Sequence, residues 1–389
     1  MSYLIAITIA GISISPLFSL IFTSFKDLHI WDAQGFFAQL MILVCFSWSF
    51  KDTNKWLGIF IFWAGIQTAF YSIDAIKNHT YVTPQFLTFF NVLCVALFYK
   101  SVEKLNPKQI GLCFDVLYWT TLVTLGVCVL QAFGLSQYFA LTKTATKHDI
   151  FTFNNLVTGF IANGTHLAGM LGFLAPLFLI KSSVRNMLIL CLIASILFFY
   201  TGTTKGDPSS TGIVVFFASI LYCLISLKKY KYALGLFGFV TLTAICIFSL
   251  FGFNEMMVND EGRFNLWKYY FGMLNQVGLT GGGLGLVKAI KALTPFPKAQ
   301  HLHMEYLQVW IELGIIGLSI LGFMIWDFFA IKTKCRTGVI LKSIVFGGLL
   351  NALLIFPFHL WLTSMYLVFA YAGVYALKRY ENIYEEISK

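Results

Sequence analysis

The sequence predicts an all-α membrane protein, a polytopic bundle of about twelve transmembrane helices. Only 11% of the residues are charged, whereas a soluble domain carries about 25%. Hydrophobic residues make up 58% of the chain and aromatic residues 17%, and they fall in repeated apolar runs of helical length. The net charge of +10 does not indicate nucleic-acid binding, because the basic residues lie in the short segments between those runs.

Twelve apolar runs are long enough, or nearly so, to cross a hydrocarbon core of about 30 Å. They cover residues 3–22, 30–50, 56–73, 86–99, 110–133, 160–180, 187–201, 211–226, 232–251, 304–326, 339–356 and 360–377. The runs at 86–99 and 187–201 are short, which favours tilted or partial crossings. No polar segment is long enough for a separate soluble domain, so we predict a single transmembrane domain over residues 1–389.

The loop charges predict the orientation. Most of the 27 lysine and arginine residues fall in the even-numbered loops and at the C-terminal end. Because cytoplasmic loops carry the excess of basic residues, both termini are predicted to be cytoplasmic. The long loop at 252–303, between the ninth and tenth spans, should then face the periplasm or the cell exterior.

The first part of this outward loop is predicted to form an interfacial helix. Its apolar residues recur at helical spacing: Phe264, Trp267, Tyr270, Phe271 and Leu274. Arg263 and Lys268 are expected to point elsewhere, so the helix would be amphipathic and lie in the headgroup layer. The glycines at 281–283 predict a flexible turn after it. Beyond the prolines that follow, a new helix should begin near Gln300.

Two histidines and a glutamate mark the place where the loop enters the tenth span. His301 and Glu305 share a face if this stretch is helical, whereas His303 faces Tyr306 and Leu307. A neutral histidine at a membrane mouth can take a proton from an acceptor hydroxyl, because its pKa lies near the working pH. Two other interpretations stay open: a polar interfacial collar, and a zinc site, although His-x-His without a further ligand is a weak zinc pattern.

Two basic residues of the outward loops are candidate phosphate ligands. Arg263 is the only arginine in the predicted outward loops, and its planar guanidinium fits phosphate oxygens. Its alternative role is to anchor the loop at the lipid headgroups. Lys205 is the lone cation of its own outward loop. It is either a second phosphate contact or a solvated lysine.

Further polar residues lie within or beside apolar runs. A carboxylate such as Glu312 is costly in that position and should have a partner, whether its role is structural pairing or catalysis. His166, Asn351 and His359 lie near the outer ends of predicted spans. Each is a candidate for the site, with helix packing or a polar collar as the alternative.

The order of these motifs resembles the O-antigen ligase and O-antigen polymerase superfamily. Gly262-Arg263 is followed by Trp267, then by Gly-Leu-Thr-Gly-Gly-Gly-Leu-Gly, His-x-His-x-Glu-Tyr-Leu and Glu-Leu-Gly-Ile-Ile-Gly-Leu. The matching segments cover about a sixth of the chain. The sequence departs from the family pattern at Met304, where an asparagine is usual, and at Lys205, near the place of a second arginine.

This resemblance implies a membrane-embedded GT-C-like glycosyltransferase of the bacterial inner membrane. The implied reaction moves a glycan from undecaprenyl diphosphate to an acceptor hydroxyl with inversion, on the periplasmic side and without metal or other cofactor. Carried over by position, His303 resembles the essential histidine and His301 an auxiliary one. Arg263 resembles the diphosphate-binding arginine, with Lys205 as its companion. The supporting residues are Glu305, Glu312, Trp267 and His166.

The acceptor distinguishes the functions that remain open. A ligase uses lipid A–core of lipopolysaccharide, and a polymerase uses the growing polysaccharide; we favour the ligase. The rival class is a transporter or flippase of lipid-linked sugars. That class predicts polar residues at the midplane of several helices and an internal repeat, whereas the polar residues here concentrate at one outer face. Apart from donor, acceptor and membrane lipids, no partner is implied.

Overall fold

The computed structural model describes residues 2–21, 38–42, 54–77, 83–133, 157, 163–181, 183–199, 210–242, 261–290, 294–296, 301–355 and 357–387. In these ranges every regular element is a helix, as the composition predicted. The helices are α1 (Ser2–Ile21), α2 (Lys55–Lys77), α3 (Thr83–Glu103), α4 (Pro107–Ala132), α5 (Gly164–Leu174), α6 (Val184–Phe199), α7 (Ser210–Ser226), α8 (Glu261–Val277), α9 (Leu286–Ile290), α10 (Glu305–Ala330), α11 (Arg336–Asn351) and α12 (Trp361–Ile387). Residues 38–42 and 230–242 are also helical.

Three helical stretches among the described residues are long and apolar enough to cross a membrane: Phe86–Glu103, Pro107–Ala132 and Glu305–Ala330. Shorter apolar helices accompany them at Ser2–Ser13, Gly164–Leu179, Val184–Phe198 and Thr211–Ser226. The presence of these helices supports the prediction of a membrane protein with several apolar helices. The count of twelve spans remains a prediction.

The start of α4 shows how local sequence sets a helix boundary. The Asn106 side chain accepts from Gln109 N at 2.9 Å, and the Gln109 side chain accepts from Asn106 N at 3.0 Å. This capping box satisfies two amides that have no partner within the helix, and Pro107 occupies the first helical position, where no amide donor is needed. The helix therefore begins where the polar segment meets the apolar run.

Small residues allow close helix packing behind the N-terminal end of α10, which we term the mouth of this helix. Helix α5 packs against α7 and α11, and α11 also packs against α12. A Cβ on Gly212 of α7 would collide with Ala168, and a Cβ on Gly169 would collide with the Asn351 side chain. Small residues let membrane helices approach closely, and here they bring α5 beside the end of α11.

Helix α10 is interrupted at Gly314, whose φ of 70° and ψ of −175° are not helical. The carbonyls of Ile311 and Glu312 accept from Gly282 N and Gly283 N, each at 2.8 Å. The carbonyl of Leu313 accepts from the indole of Trp63 (on α2) at 2.9 Å. Backbone carbonyls freed by a break in an apolar helix need such partners.

The turn predicted at the glycines is present, and it lies against this break. Gly281 and Gly283 adopt φ values of 80° and 94°, which favour glycine, and this lets the segment lie directly against the break in α10. The Tyr71 hydroxyl also donates to the carbonyl of Gly281. The glycines form a fixed contact because their amides replace the hydrogen bonds that α10 loses at Gly314.

Two expectations need correction. Helix α10 begins at Glu305 rather than near Gln300, so His301 and Glu305 do not share a helical face. Arg263 does not point away from the packed side of α8: it lies three residues before Leu266 and seven before Tyr270, which are 3% and 1% exposed. These spacings place all three residues on one face. Phe264 and Phe271, counted in the predicted apolar face, are about half exposed at 50% and 47%.

Candidate functional site

The candidate site lies at the mouth of α10, where residues 301–304 lead into the helix. His303 has a φ of 53°, in the left-handed region that a non-glycine residue rarely adopts. Such a conformation costs on the order of 1–3 kcal/mol and persists only where surrounding contacts impose it.

The backbone of Leu302 is fixed on both sides. Its carbonyl accepts a 2.7 Å hydrogen bond from Trp267 Nε1, and its amide donates to Gln308 Oε1 at 3.3 Å. The Leu302 side chain is fully buried in an apolar cluster with Tyr270 of α8 and Ile311 of α10. This clamp sets the places of the two neighbouring histidines.

We term Arg263, His303 and His166 the cationic half of the mouth. Burial, and then the charge of Arg263, lower the pKa of His303 to about 4. His303 is therefore neutral near pH 7. His166 is 4% exposed near the start of α5, where its backbone amide donates to Asn163 Oδ1 at 3.1 Å. Both Arg263 and His303 act on His166 electrostatically.

We term His301, Glu305, Gln308, Glu312 and His359 the acidic half of the mouth. Glu305 Oε2 pairs with His359 Nδ1 at 2.8 Å, and Glu305 Oε1 accepts from Phe358 N at 2.8 Å. The Glu305 amide donates to the carbonyl of Ala352 at 2.9 Å. The buried carboxylate thereby joins the start of α10 to the short turn at Pro357–His359.

Gln308 fixes the tautomer of His359. Its Oε1 accepts from the amide of Leu302, so its Nε2 faces both Glu312 Oε1, at 3.1 Å, and His359 Nε2, at 3.0 Å. Since this amide nitrogen only donates, His359 Nε2 accepts, and its ring proton lies on Nδ1 facing Glu305. A second proton on Nε2 would require the Gln308 amide to move.

The carboxylate of Glu312 has the partners that a charge in an apolar helix requires. It accepts from Gln308 Nε2 and from the backbone amides of Gly285 and Val287 at the start of α9. The acidic half is thereby tied to the glycine segment that lies against the break in α10.

The rings of His301 and His359 are in contact, with centroids 4.4 Å apart and planes at 49°. Burial lowers the pKa of His301 well below its ordinary value, and the charges of a protonated His359 and of Lys288 lower it further. Burial acts in the same direction on the pKa of His359, but the charge and hydrogen bond of Glu305 outweigh it and raise that pKa. The two touching imidazoles therefore differ in proton affinity.

The structure brings together all but one of the residues predicted for the site. His301, His303, Arg263, Trp267, His166, Glu305 and Glu312 surround the same mouth, either directly or through one intervening residue. Lys205 lies outside the described residues. In the part of the chain that is described, no group of three histidine, cysteine, aspartate or glutamate side chains is placed to hold a metal ion.

Sequence reasoning missed two contributors to the site, Gln308 and Lys288, and it named His359 without its partner Glu305. Gln308 lies three residues after Glu305 and four before Glu312, a spacing that puts all three on one helical face and could have been read from the sequence. His359 is far away along the chain, so no local pattern pairs it with Glu305. The sequence around Lys288 contains no pattern that marks this residue as part of the site.

Comparison with known proteins adds no assignment. The sequence matches no family model, and no curated protein is significantly similar to it. Any functional conclusion must therefore rest on the geometry of the mouth and on the motif resemblance.

Proposed function

We propose that this chain is an inner-membrane glycosyltransferase of the O-antigen ligase type. It would move a glycan from undecaprenyl diphosphate to a hydroxyl of lipid A–core, on the periplasmic side and within a GT-C-like bundle of about twelve spans. The observation that carries the proposal is that Arg263 acts electrostatically on His303 and His166 at the mouth of an apolar helix. An arginine can hold a diphosphate, and a neutral imidazole can accept a proton.

The donor side of the reaction uses the cationic half. As the new bond forms between the sugar and the acceptor oxygen, the bond from the sugar to the diphosphate breaks, and negative charge grows on the leaving group. The guanidinium of Arg263 offsets that charge in a partly buried setting, where electrostatic stabilisation is stronger than in water. A carrier tail of prenyl units requires apolar surroundings, which the neighbouring helices supply.

The acceptor side requires a base. The acceptor hydroxyl loses its proton as it attacks, and His303 is the base that the resemblance implies. At neutral pH His303 is in the required neutral form, because its pKa lies at about 4. The assignment calls for no resident cofactor, since Arg263 and the histidines supply the charge and the base.

Purified protein in liposomes, with an undecaprenyl-diphosphate-linked glycan and EDTA, tests the proposal. Lipid A–core and the carrier-linked glycan are offered in separate reactions. Glycan on lipid A–core supports the ligase, whereas longer carrier-linked chains would reassign the protein as a polymerase. Glycan lipid that moves to the other leaflet without product would overturn the enzyme proposal in favour of a transporter or flippase.

A further inference from the structure

We propose that Gln308 makes the clamp on Leu302 and a second proton on His359 mutually exclusive, so that the mouth is arranged for transfer only while His359 is neutral. Gln308 is then a positioning residue, because it acts through Leu302 on the two histidines beside it. The effect on transfer rests on the proposed function. The exclusion itself follows from the hydrogen bonds of one buried amide.

The side-chain amide of Gln308 has three partners, and two of them fix its orientation. The backbone N–H of Leu302 can only donate, so it requires Oε1 of Gln308, at 3.3 Å. The carboxylate of Glu312 accepts, so it requires Nε2, at 3.1 Å. The third partner, His359 Nε2, lies 3.0 Å from the same amide nitrogen and must accept. Gln308 is 3% exposed, so each bond that is lost leaves a buried polar group without its partner.

Neutral His359 satisfies every group in this network. Its Nδ1 carries the ring proton and faces Glu305 Oε2 at 2.8 Å, while its bare Nε2 accepts from Gln308. In the imidazolium both ring nitrogens carry protons, and the new N–H on Nε2 would point at the amide nitrogen of Gln308. Two donors repel each other at this distance, so the amide has to turn or withdraw.

Turning the amide removes that repulsion and releases the clamp. Oε1 of Gln308 would then accept from His359, but Nε2 would face the donor N–H of Leu302. The carboxylate oxygen of Glu312 would face an oxygen as well. Leu302 therefore loses the bond at its amide, and the histidines on either side of it lose their fixed places. A protonated His359 is thus incompatible with the arrangement that the mouth needs for transfer.

Other charged and titratable groups act on His359 and on the ring that it touches. They come from residues 301–303, α10, α9 and α5: His301, His303, Glu305, Glu312, Lys288 and His166. Residues 361–376 of α12, which follow the turn, carry no charge. Burial and the charge of Lys288 disfavour a second proton on His359, whereas the charge and hydrogen bond of Glu305 favour it. Glu305 and Gln308 therefore act in opposite directions on the same proton.

The first measurement is an NMR titration of His359 in the full-length protein with labelled histidine, the signal being assigned from its loss in His359→Gln. Gln308→Met keeps the side-chain length and removes the donor that opposes the imidazolium. We expect the pKa of His359 to rise by about one unit or more. Gln67→Met is the matched control, because Gln67 on α2 is 4% exposed, close to the burial of Gln308. An unchanged pKa in Gln308→Met would overturn the inference.

The second measurement follows hydrogen exchange at the Leu302 amide, corrected for the intrinsic effect of pH on exchange. In the wild type, protection should fall as the pH drops through the measured pKa of His359. Gln308→Glu offers oxygens to both Leu302 N–H and the protonated ring, and it can share a proton with Glu312. Protection in this variant should therefore persist when His359 is protonated. Constant protection in the wild type across that titration would also overturn the inference.

Transfer by the same variants separates this inference from the proposed function. The acid limb of kcat should follow the pKa of His359 in the wild type and should no longer follow it in Gln308→Glu. A limb that ignores His359 in the wild type would remove the link between the exclusion and transfer, and with it the positioning role of Gln308. An inactive wild-type protein whose Leu302 amide still responds to His359 would overturn the proposed function alone.

Discussion

The indole of Trp267 on α8 donates a 2.7 Å hydrogen bond to the carbonyl oxygen of Leu302, thirty-five residues further along the chain. This bond holds the short segment between two histidines against the surface helix. Together with the bond from the Leu302 amide to Gln308, it imposes the left-handed conformation of His303. The positions of His301 and His303, which flank Leu302, depend on this clamp.

Trp267→Phe tests the clamp, because it retains the ring and removes the donor. The buried carbonyl of Leu302 loses its partner, which should destabilise the protein by about 1–3 kcal/mol. Transfer activity should fall as His301 and His303 lose their fixed places. Thermal unfolding in detergent and turnover in liposomes measure the two effects. The control is Trp326→Phe, since Trp326 is 76% exposed on α10. Equal unfolding temperatures and equal turnover of the two variants would refute the clamp.

Arg263→Lys tests the diphosphate contact. Lysine keeps the charge but loses the planar fork, so KM for the donor should rise by about tenfold, which corresponds to about 1.4 kcal/mol. The unfolding temperature should change little, because lysine keeps the positive charge on the packed face of α8. Lys268→Arg, at an exposed position on the same helix, should leave KM unchanged. Wild-type donor kinetics in Arg263→Lys would remove this residue from diphosphate binding.

Gly281→Ala tests the contact between the glycine segment and the break in α10. The φ of Gly281 is 80°, and a Cβ there would meet the backbone of Gly314 and Glu312. We expect a loss of at least about 1–3 kcal/mol in the free energy of unfolding, together with lower activity. Gly322→Ala in α10 is the control, because no atom lies within 4 Å of its added Cβ. Similar unfolding temperatures for the two variants would show that the contact is not fixed.

The helical membrane class and the residues that meet at the candidate site could be predicted from the sequence. Low charge and repeated apolar runs led to a helical membrane protein, and the order of the motifs led to the mouth of α10. Glu312 could be expected to have a partner, because an isolated carboxylate in an apolar helix is costly. The spacing of Glu305, Gln308 and Glu312 also places these three side chains on one face of a helix.

The errors have physical causes. In a membrane protein an apolar side chain can face lipid as well as the interior, so the spacing of Phe264 and Phe271 did not identify the packed face of α8. Arg263 was consequently placed on the wrong side. The late start of α10 and the pairing of His359 with Glu305 depend on contacts between residues far apart in the chain, which local patterns do not encode.

The pKa of His303 predicts a dependence of stability on pH. Its value falls from 6.5 to about 4 on folding, so the unfolded chain binds a proton first as the pH drops. The contribution of the neutral histidine to stability is complete above about pH 6.5 and is lost progressively toward pH 4. His303→Gln should therefore show a shallower fall in unfolding temperature over this range. An identical slope in the wild type and the variant would contradict the depressed pKa.

The central claim is that this mouth transfers a glycan and releases its carrier. The most direct measurement is the amount of free undecaprenyl diphosphate formed per glycan transferred, by wild-type protein in liposomes with and without lipid A–core. Our account predicts a ratio of about one, no release without an acceptor, and loss of both products in Arg263→Ala. Disappearance of the glycan lipid from one leaflet, with its diphosphate bond intact, would contradict the account.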